Sequence, residues 1–383
     1  MTVHYDPFAF YDDPYPVYRR LRDEAPLYLN ADRALRVLSR FEDVQAAGRD
    51  WKTFSSAEGV DIDDSQLGPG SFLDVDPPRH GELRRILQAD FAPARIKLLE
   101  PQITARVDEL LDPLLAAGGG DFATDFALRL PVSVIAGLLG APQADHRDLE
   151  RWYFGMLERE PGMVEVTAGA ARAGAEMRGY ILDAVAARQQ APRDDLLGTI
   201  AVAHAAGRLS ADEVDGMCRL LLLAGIHTTA SLVANTLITL AGAAEARADL
   251  ARDPAAIPVA IEELLRFLSP VQAGARVTTR QVEIHGTVVP PGEKVLLLWA
   301  SANRDERKFH EPDTLDLRRP PLRGAAFGEG IHFCLGAPLA RLEARIAFER
   351  LFARMPRYEI AGPVERHFTF LERGIARLPI ALR

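Results

Sequence analysis

Phe327-Gly328-Glu329-Gly330-Ile331-His332-Phe333-Cys334-Leu335-Gly336 is the stretch from which the rest of the chain is best read. It sets one cysteine in a glycine-lined turn directly ahead of a helical run. Leu335, Leu339, Leu342 and Ile346 fall on one helical face, and Pro356 closes the run. A thiol at a helix N-terminus meets the positive end of the helix dipole and free backbone N–H groups. Both favour the thiolate, the form that binds metals or attacks carbon. The glycines allow positive φ, or close approach of the backbone to a bulky flat partner. A packed structural cysteine is the competing reading, and the stretch alone does not choose between them.

Composition narrows the field. The net charge of −9 argues against a nucleic-acid-binding surface. Cys218 and Cys334 are the only cysteines, which leaves no disulfide framework and no cysteine-rich metal site, and fits a reducing cytoplasm. Residues Met1 to Arg20 are acidic, aromatic and proline-containing, unlike a leader or an anchor helix. The longest apolar run, Leu220 to Ala234, is interrupted by His227, Thr228 and Thr229 and is too short to span a bilayer. Without repeats or a clear linker, residues 1–383 are expected to form one domain and to need no membrane.

Periodicity predicts strands at Leu27–Leu29 and Ala34–Leu38, a helix from Phe41 and a long surface loop from Ser55 to Phe72. Helices then dominate from Pro77 to about Gly207. Ser210-Ala211-Asp212-Glu213 is a capping box that opens a long buried helix reaching about Leu240. Another helix covers Pro254 to Leu268. Period-two segments follow at Val282–Ile284 and Val295–Trp299, and a hairpin around Arg373-Gly374 is expected over Phe368 to Leu382. The fold class is therefore mainly α with small β-sheets.

Three further patterns carry chemistry. Glu263 and Arg266, three apart on a helix, share a face and can pair. Ala224-Gly225-Ile226-His227-Thr228-Thr229 places small and then polar residues inside the long helix. Something lies against the helix there, or helices pack closely and the threonines bond back to the preceding turn. His80 and Arg84, four apart behind Asp76-Pro77-Pro78, suit an anionic group or a solvated basic face.

Together, in this order and spacing, these motifs resemble the soluble bacterial branch of the cytochrome P450 family, haem-thiolate monooxygenases. The resemblance covers essentially the whole chain, and the Phe-Gly-x-Gly-x-His-x-Cys-x-Gly signature is matched at every fixed position from Phe327 to Gly336. It implies the cytochrome P450 fold, with a long central helix over haem b (iron protoporphyrin IX) and Cys334 as the proximal iron ligand. It also implies that Phe327, Gly328 and Gly336 shape the loop under the haem, and that His80, Arg84, Arg276 and His332 are its propionate partners. Glu263 and Arg266 become the structural pair behind it. Ala224 and Gly225 line the oxygen-side groove, where the family's helix bulges, and Thr228 assists proton delivery during oxygen activation. The substrate pocket falls to the Ser55–Leu73 loop, the Arg151–Val166 region, Leu220, Leu223, Ala224, Val271, Gln272 and Leu371. These are mostly apolar, so a small hydrophobic molecule is expected, with Gln272 and His227 for polar contacts. The other partners implied are O2, a separate ferredoxin and its ferredoxin reductase. Docking would use Arg84, Arg85, Arg341 and Arg345, and the protein is expected to be a cytoplasmic monomer.

Two departures from the family pattern stand out. His227 occupies the position before the threonine where the family usually carries an acid. It takes over the proton relay, binds a polar substrate, or marks altered oxygen activation served by peroxide; the retained relay is the reading carried forward. Thr314 stands where relatives place the Arg or His that joins the Glu–Arg pair. Glu329 falls at a variable position of the signature and is expected to have no special role, and Cys218 to be a core residue. A peroxide-using peroxygenase and a low-turnover haem-binding sensor are the rival functions.

Overall fold

In a computed structural model that describes residues 3–9, 12–62, 70–157, 167–367 and 371–383, the chain is arranged around one helix, Ala211–Ala241. The capping box opens it: Ser210 Oγ accepts from the Glu213 N–H at 3.2 Å, and the Glu213 carboxylate accepts from the Ser210 N–H at 2.8 Å. Leu220, Leu222, Ile226, Leu232, Val233, Leu237 and Leu240 are all buried, on every side of the helix, so it runs through the core. It is the one helix among the described residues long and apolar enough to cross a membrane, and most of that segment is buried inside the protein.

Arg129–Leu139, Ala168–Gln190, Ile257–Leu268 and Ala337–Arg354 pack around this axis. The cysteine-loop helix, Ala337–Arg354, begins directly after Gly336, with Pro338 in its first turn, where a missing N–H costs no helical bond. It buries Leu339, Ile346, Phe348 and Leu351. A five-stranded sheet lies beside the helices in the order Leu27–Asn30, Leu35–Leu38, Lys294–Leu297, Gly274–Thr278, Phe54–Ser55. Its one parallel pair joins Leu35–Leu38 to Lys294–Leu297, and Gly274–Thr278 carries Arg276 inward.

Several expectations need correction. The strand expected over Val295–Trp299 stops at Leu297, and Trp299 begins a short helix, Trp299–Ala302. The C-terminal hairpin pairs Glu365–Arg366 with Ile375–Arg377, while Pro379–Leu382 leaves it to join Gly119–Asp121 and Tyr358–Ile360. Residues 368–370 of the expected hairpin lie outside the described residues. The supposed surface loop after Ser55 is anchored inside at its described ends, with Ser56, Ile62, Ser71 and Phe72 buried. The long helix is a continuous α-helix with no bulge at Ala224–Thr228.

Candidate functional site

The cysteine loop is held by backbone constraints before any side chain matters. Gly328 and Gly330 both take φ of 68°, a left-handed conformation that favours glycine. A Cβ on Gly330 would collide with the Gly48 carbonyl oxygen, so close approach of Phe41–Arg49 also requires a glycine there. The Cys334 N–H donates to the Phe327 carbonyl at 2.9 Å, closing the loop. Glu329, expected to be incidental, is the loop's anchor. It is buried and accepts from Gln45 Nε2 at 3.2 Å, Arg49 Nε at 3.1 Å and Arg323 Nη2 at 3.0 Å. Only its neighbours in space, contributed by distant segments, reveal that role.

Cys334 is half-buried with its thiol beside the Gly336 and Ala337 amides. Burial pushes the thiol pKa up; those amides and the charges of Arg84 and Arg341 pull it down, and burial wins. The helix N-terminus acts in the expected direction but does not by itself produce a thiolate.

His80, Arg84, Arg276 and His332 come from three separate segments and converge. The His80 and His332 rings are 4.5 Å apart, and Arg84 Nη2 donates to the Phe333 carbonyl at 2.6 Å. His332 Nε2 meets Ser56 Oγ at 2.9 Å. His80 Nε2 and His332 Nδ1 are buried with no hydrogen-bond partner among the described residues. Burial lowers the pKa of all four groups, taking Arg276 down to about 10. His332 drops far below its ordinary value, through burial first and then the charges of Arg276, His80 and Arg84. Two guanidinium groups beside two unpartnered imidazole nitrogens fit a dianionic group, as the two carboxylates of a haem would be. With Cys334 as a soft donor, the residues present fit that cofactor.

The Glu263–Arg266 pair is buried and bidentate, with Arg266 Nε to Oε2 and Nη2 to Oε1 both at 2.7 Å. Arg266 Nη1 also donates to the carbonyls of Asn303 and Pro312. The third cation, in doubt at Thr314, is Arg319: its Nε reaches Glu263 Oε1 at 3.1 Å, and Thr314 contributes its backbone carbonyl at 3.1 Å. An arginine five residues along the same meander fills the place, which spacing alone could not indicate.

On the long helix, Ala224 is exposed and Leu223, Gly225 and Thr228 are half-buried, although the helix is otherwise mostly buried there. Thr228 Oγ1 donates to the Ala224 carbonyl at 2.7 Å, the back-bond that the sequence allows. Leu220 is buried. Val271, Gln272 and Leu371 are brought together: the Gln272 N–H donates to the Leu371 carbonyl at 2.6 Å, and Val271 bridges to Glu372. Gln272 turns its Nε2 back to the Leu268 and Ser269 carbonyls, so that group is not free to contact a substrate. His227 turns to the C-terminal loop, with Nδ1 on the Glu372 carboxylate. Residues 63–69 and 158–166 of the expected pocket lie outside the described residues; Cys218 is a core residue.

The expected docking arginines are mostly engaged. Arg341 pairs with Glu262 and lies 4.5 Å from the Phe327 ring centroid; Arg345 pairs with Glu100 and Glu349. Arg84 is half-buried, and of the four Arg85 alone is exposed.

The cytochrome P450 family model matches residues 257–356. The chain is 37% identical to vitamin D(3) 25-hydroxylase of Pseudonocardia autotrophica, covering 100% of this chain and 97% of that protein. It is 35% identical to the cytochrome P450 monooxygenase PikC of Streptomyces venezuelae, over 98% of this chain and 92% of that one. The crystal structure of CalO2 superposes with a TM-score of 0.90 at 32% identity, covering 100% of this chain and 99% of that one.

Proposed function

The chain belongs to the cytochrome P450 family and is a monooxygenase of that family, and on that premise we propose that it inserts one atom of O2 into a small, largely hydrophobic molecule. The reaction is substrate-H plus O2, two electrons and two protons, giving hydroxylated product and water. The cofactor in this reading is haem b, which supplies oxygen activation when bound; demethylation and epoxidation are variants of the same chemistry.

The observation that carries the reading is the convergence of His80, Arg84, Arg276 and His332, with unpartnered buried nitrogens, around a loop that presents Cys334. Those four groups hold the carboxylates of the cofactor, and Cys334 holds its metal. Glu263, Arg266 and Arg319 keep the meander and its helix in register behind that loop. Ala224 and Thr228 face the reacting molecules, and Leu223, Val271 and Leu371 give the pocket its apolar wall. The named activity of the Pseudonocardia relative, on vitamin D(3), supports an apolar polycyclic substrate class.

Electrons come from a separate ferredoxin and its reductase. A groove of about 430 Å³ between Pro93, Lys97, Glu262, Pro338, Arg341 and Arg345, at the start of the cysteine-loop helix, would receive that partner. One domain, monomeric and cytoplasmic, carries all of this.

The test is spectroscopic. The reduced carbon monoxide complex should show the thiolate-type Soret band, and a panel of apolar polycyclic compounds should include ligands that shift the ferric spin state. A band of the imidazole type in the wild type would overturn the cysteine assignment. Spin-state shifts confined to small ionic compounds would overturn the substrate class.

A further inference from the structure

His227, Ser231 and Asn235 recur every four residues and form a polar stripe along one face of the long helix. The stripe faces Arg366 and the segment 372–374. Asn235 Nδ2 donates to the Arg373 carbonyl at 2.9 Å, and Arg366 Nη1 donates to Asn235 Oδ1 at 3.0 Å. At the other end His227 Nδ1 meets the Glu372 carboxylate. The fit is close: a Cβ on Gly374 would lie 2.5 Å from His227 Cε1 and 2.9 Å from its Nε2, so any side chain there would displace the imidazole. We propose that Glu372 is a positioning residue for oxygenation, supplying from the C-terminal loop the carboxylate that the family carries ahead of the threonine, and holding His227 as the proton-bearing group next to Thr228. The proposal rests on the monooxygenase reading and adds to it a residue from a segment distant in sequence.

The physical argument concerns what a histidine does when buried. His227 is 6% exposed, and burial alone would strip its proton near neutral pH. The groups that face it are Tyr153 from His146–Leu157, His367 and Glu372 from the C-terminal loop, with Arg366 and Arg373 further along that loop. Of these, the Glu372 carboxylate is the acid in contact with the ring. Burial opposes the charged imidazole, but the Glu372 hydrogen bond and charge outweigh it and leave the His227 pKa raised. By taking Nδ1, Glu372 also fixes which ring nitrogen remains to exchange a proton. In the proposed step the imidazolium gives up its Nε2 proton for oxygenation, keeps Nδ1–H on Glu372, and regains a proton from solvent. No electrons move. The Glu372 side chain is 23% exposed, so solvent reaches the pair. Thr228 gives its own hydrogen to Ala224, which leaves its oxygen lone pairs to accept.

Histidine NMR of the haem-loaded protein, in the diamagnetic ferrous carbon monoxide complex, tests this directly, with His227→Asn used to assign the ring. His227 should titrate above its ordinary value in the wild type. In Glu372→Gln, which keeps the shape of the contact, the midpoint should fall by about one pH unit or more. Glu372→Asp should restore part of the shift. Product formed per O2 consumed should lose its alkaline limb at correspondingly lower pH in Glu372→Gln, with the Soret band unchanged. A wild type that turns over, paired with a Glu372→Gln protein whose His227 midpoint and coupling profile are unmoved, overturns this proposal alone. A wild type that reduces no O2 overturns the monooxygenase reading and the proposal with it.

Discussion

On the cysteine side of the molecule the buried acids are surrounded by donors. Glu263 accepts from Arg266, Arg319 and the Asp316 amide, and Glu329 accepts from Gln45, Arg49 and Arg323. On the His227 side, buried polar atoms stand without partners among the described residues: Tyr153 Oη, Ser231 Oγ and Gln272 Oε1. A satisfied network in a low-dielectric interior is rigid, and a partly satisfied one is costly. The difference is that between a frame, which must keep one geometry, and a reaction space, whose polar groups await molecules that come and go.

The largest expected effect breaks the frame at its centre. Cys334→Ala should abolish the thiolate-type carbon monoxide band and all oxygenation, measured by difference spectrum and product assay. Next comes the buried ion cluster. Glu263→Ala leaves Arg266 and Arg319 confronting each other without their shared acid, and should destabilise the protein by about 3–5 kcal/mol in denaturant unfolding. Arg319→Ala, which leaves the bidentate Arg266 contact intact, should lose less. Equal losses would mean that the cluster does not have the hierarchy its distances imply.

That cluster also marks where the sequence is legible. Cys334 and the Glu263–Arg266 pair are readable because each motif is local, held within one turn or one helical face. The capping box at Ser210 is readable for the same reason. Arg319 is not, since a flexible meander can deliver a cation from several positions and spacing singles out none. Glu329 is not, because its donors Gln45, Arg49 and Arg323 come from other segments. Glu372 is hidden for a third reason: the hairpin that carries it runs over Glu365–Arg377, and its register is decided by pairing across the sheet. The strand Gly119–Asp121 has no side-chain alternation to read and exists because Pro379–Leu382 lies beside it.

Among the buried acids of the cysteine side one departs from this pattern, as the unpartnered His80 and His332 nitrogens do among its bases. Glu343 on Ala337–Arg354 is buried, its Oε2 has no partner among the described residues, and burial raises its pKa from 4.5 to about 8. The folded carboxyl therefore keeps its proton while the unfolded one ionises. Its contribution to stability is complete below pH 4.5 and is lost as pH rises through about 8. Glu343→Gln cannot ionise, so it should equal the wild type at acid pH and exceed it near pH 8 by on the order of 4 kcal/mol. Thermal unfolding across that range checks the sign. A variant less stable than the wild type at every pH would mean that the carboxylate has a cationic partner in solution, and the frame's buried acids would then have no exception.

The smallest effect is also the sharpest on the distal side. Ser231 sits between His227 and Asn235 on the polar stripe, is 2% exposed, and its Oγ has no partner among the described residues. If the hydroxyl is retained for the reaction space, the fold gains nothing from it, and removing a buried unsatisfied group lifts a desolvation cost. Ser231→Ala should then be more stable than the wild type by roughly 0.5–1 kcal/mol, with haem content unchanged. A destabilisation of similar size would instead assign Ser231 a bridging water between His227 and Asn235. The stripe would then belong to the frame, and the contrast between the two sides would narrow to Tyr153 and Gln272.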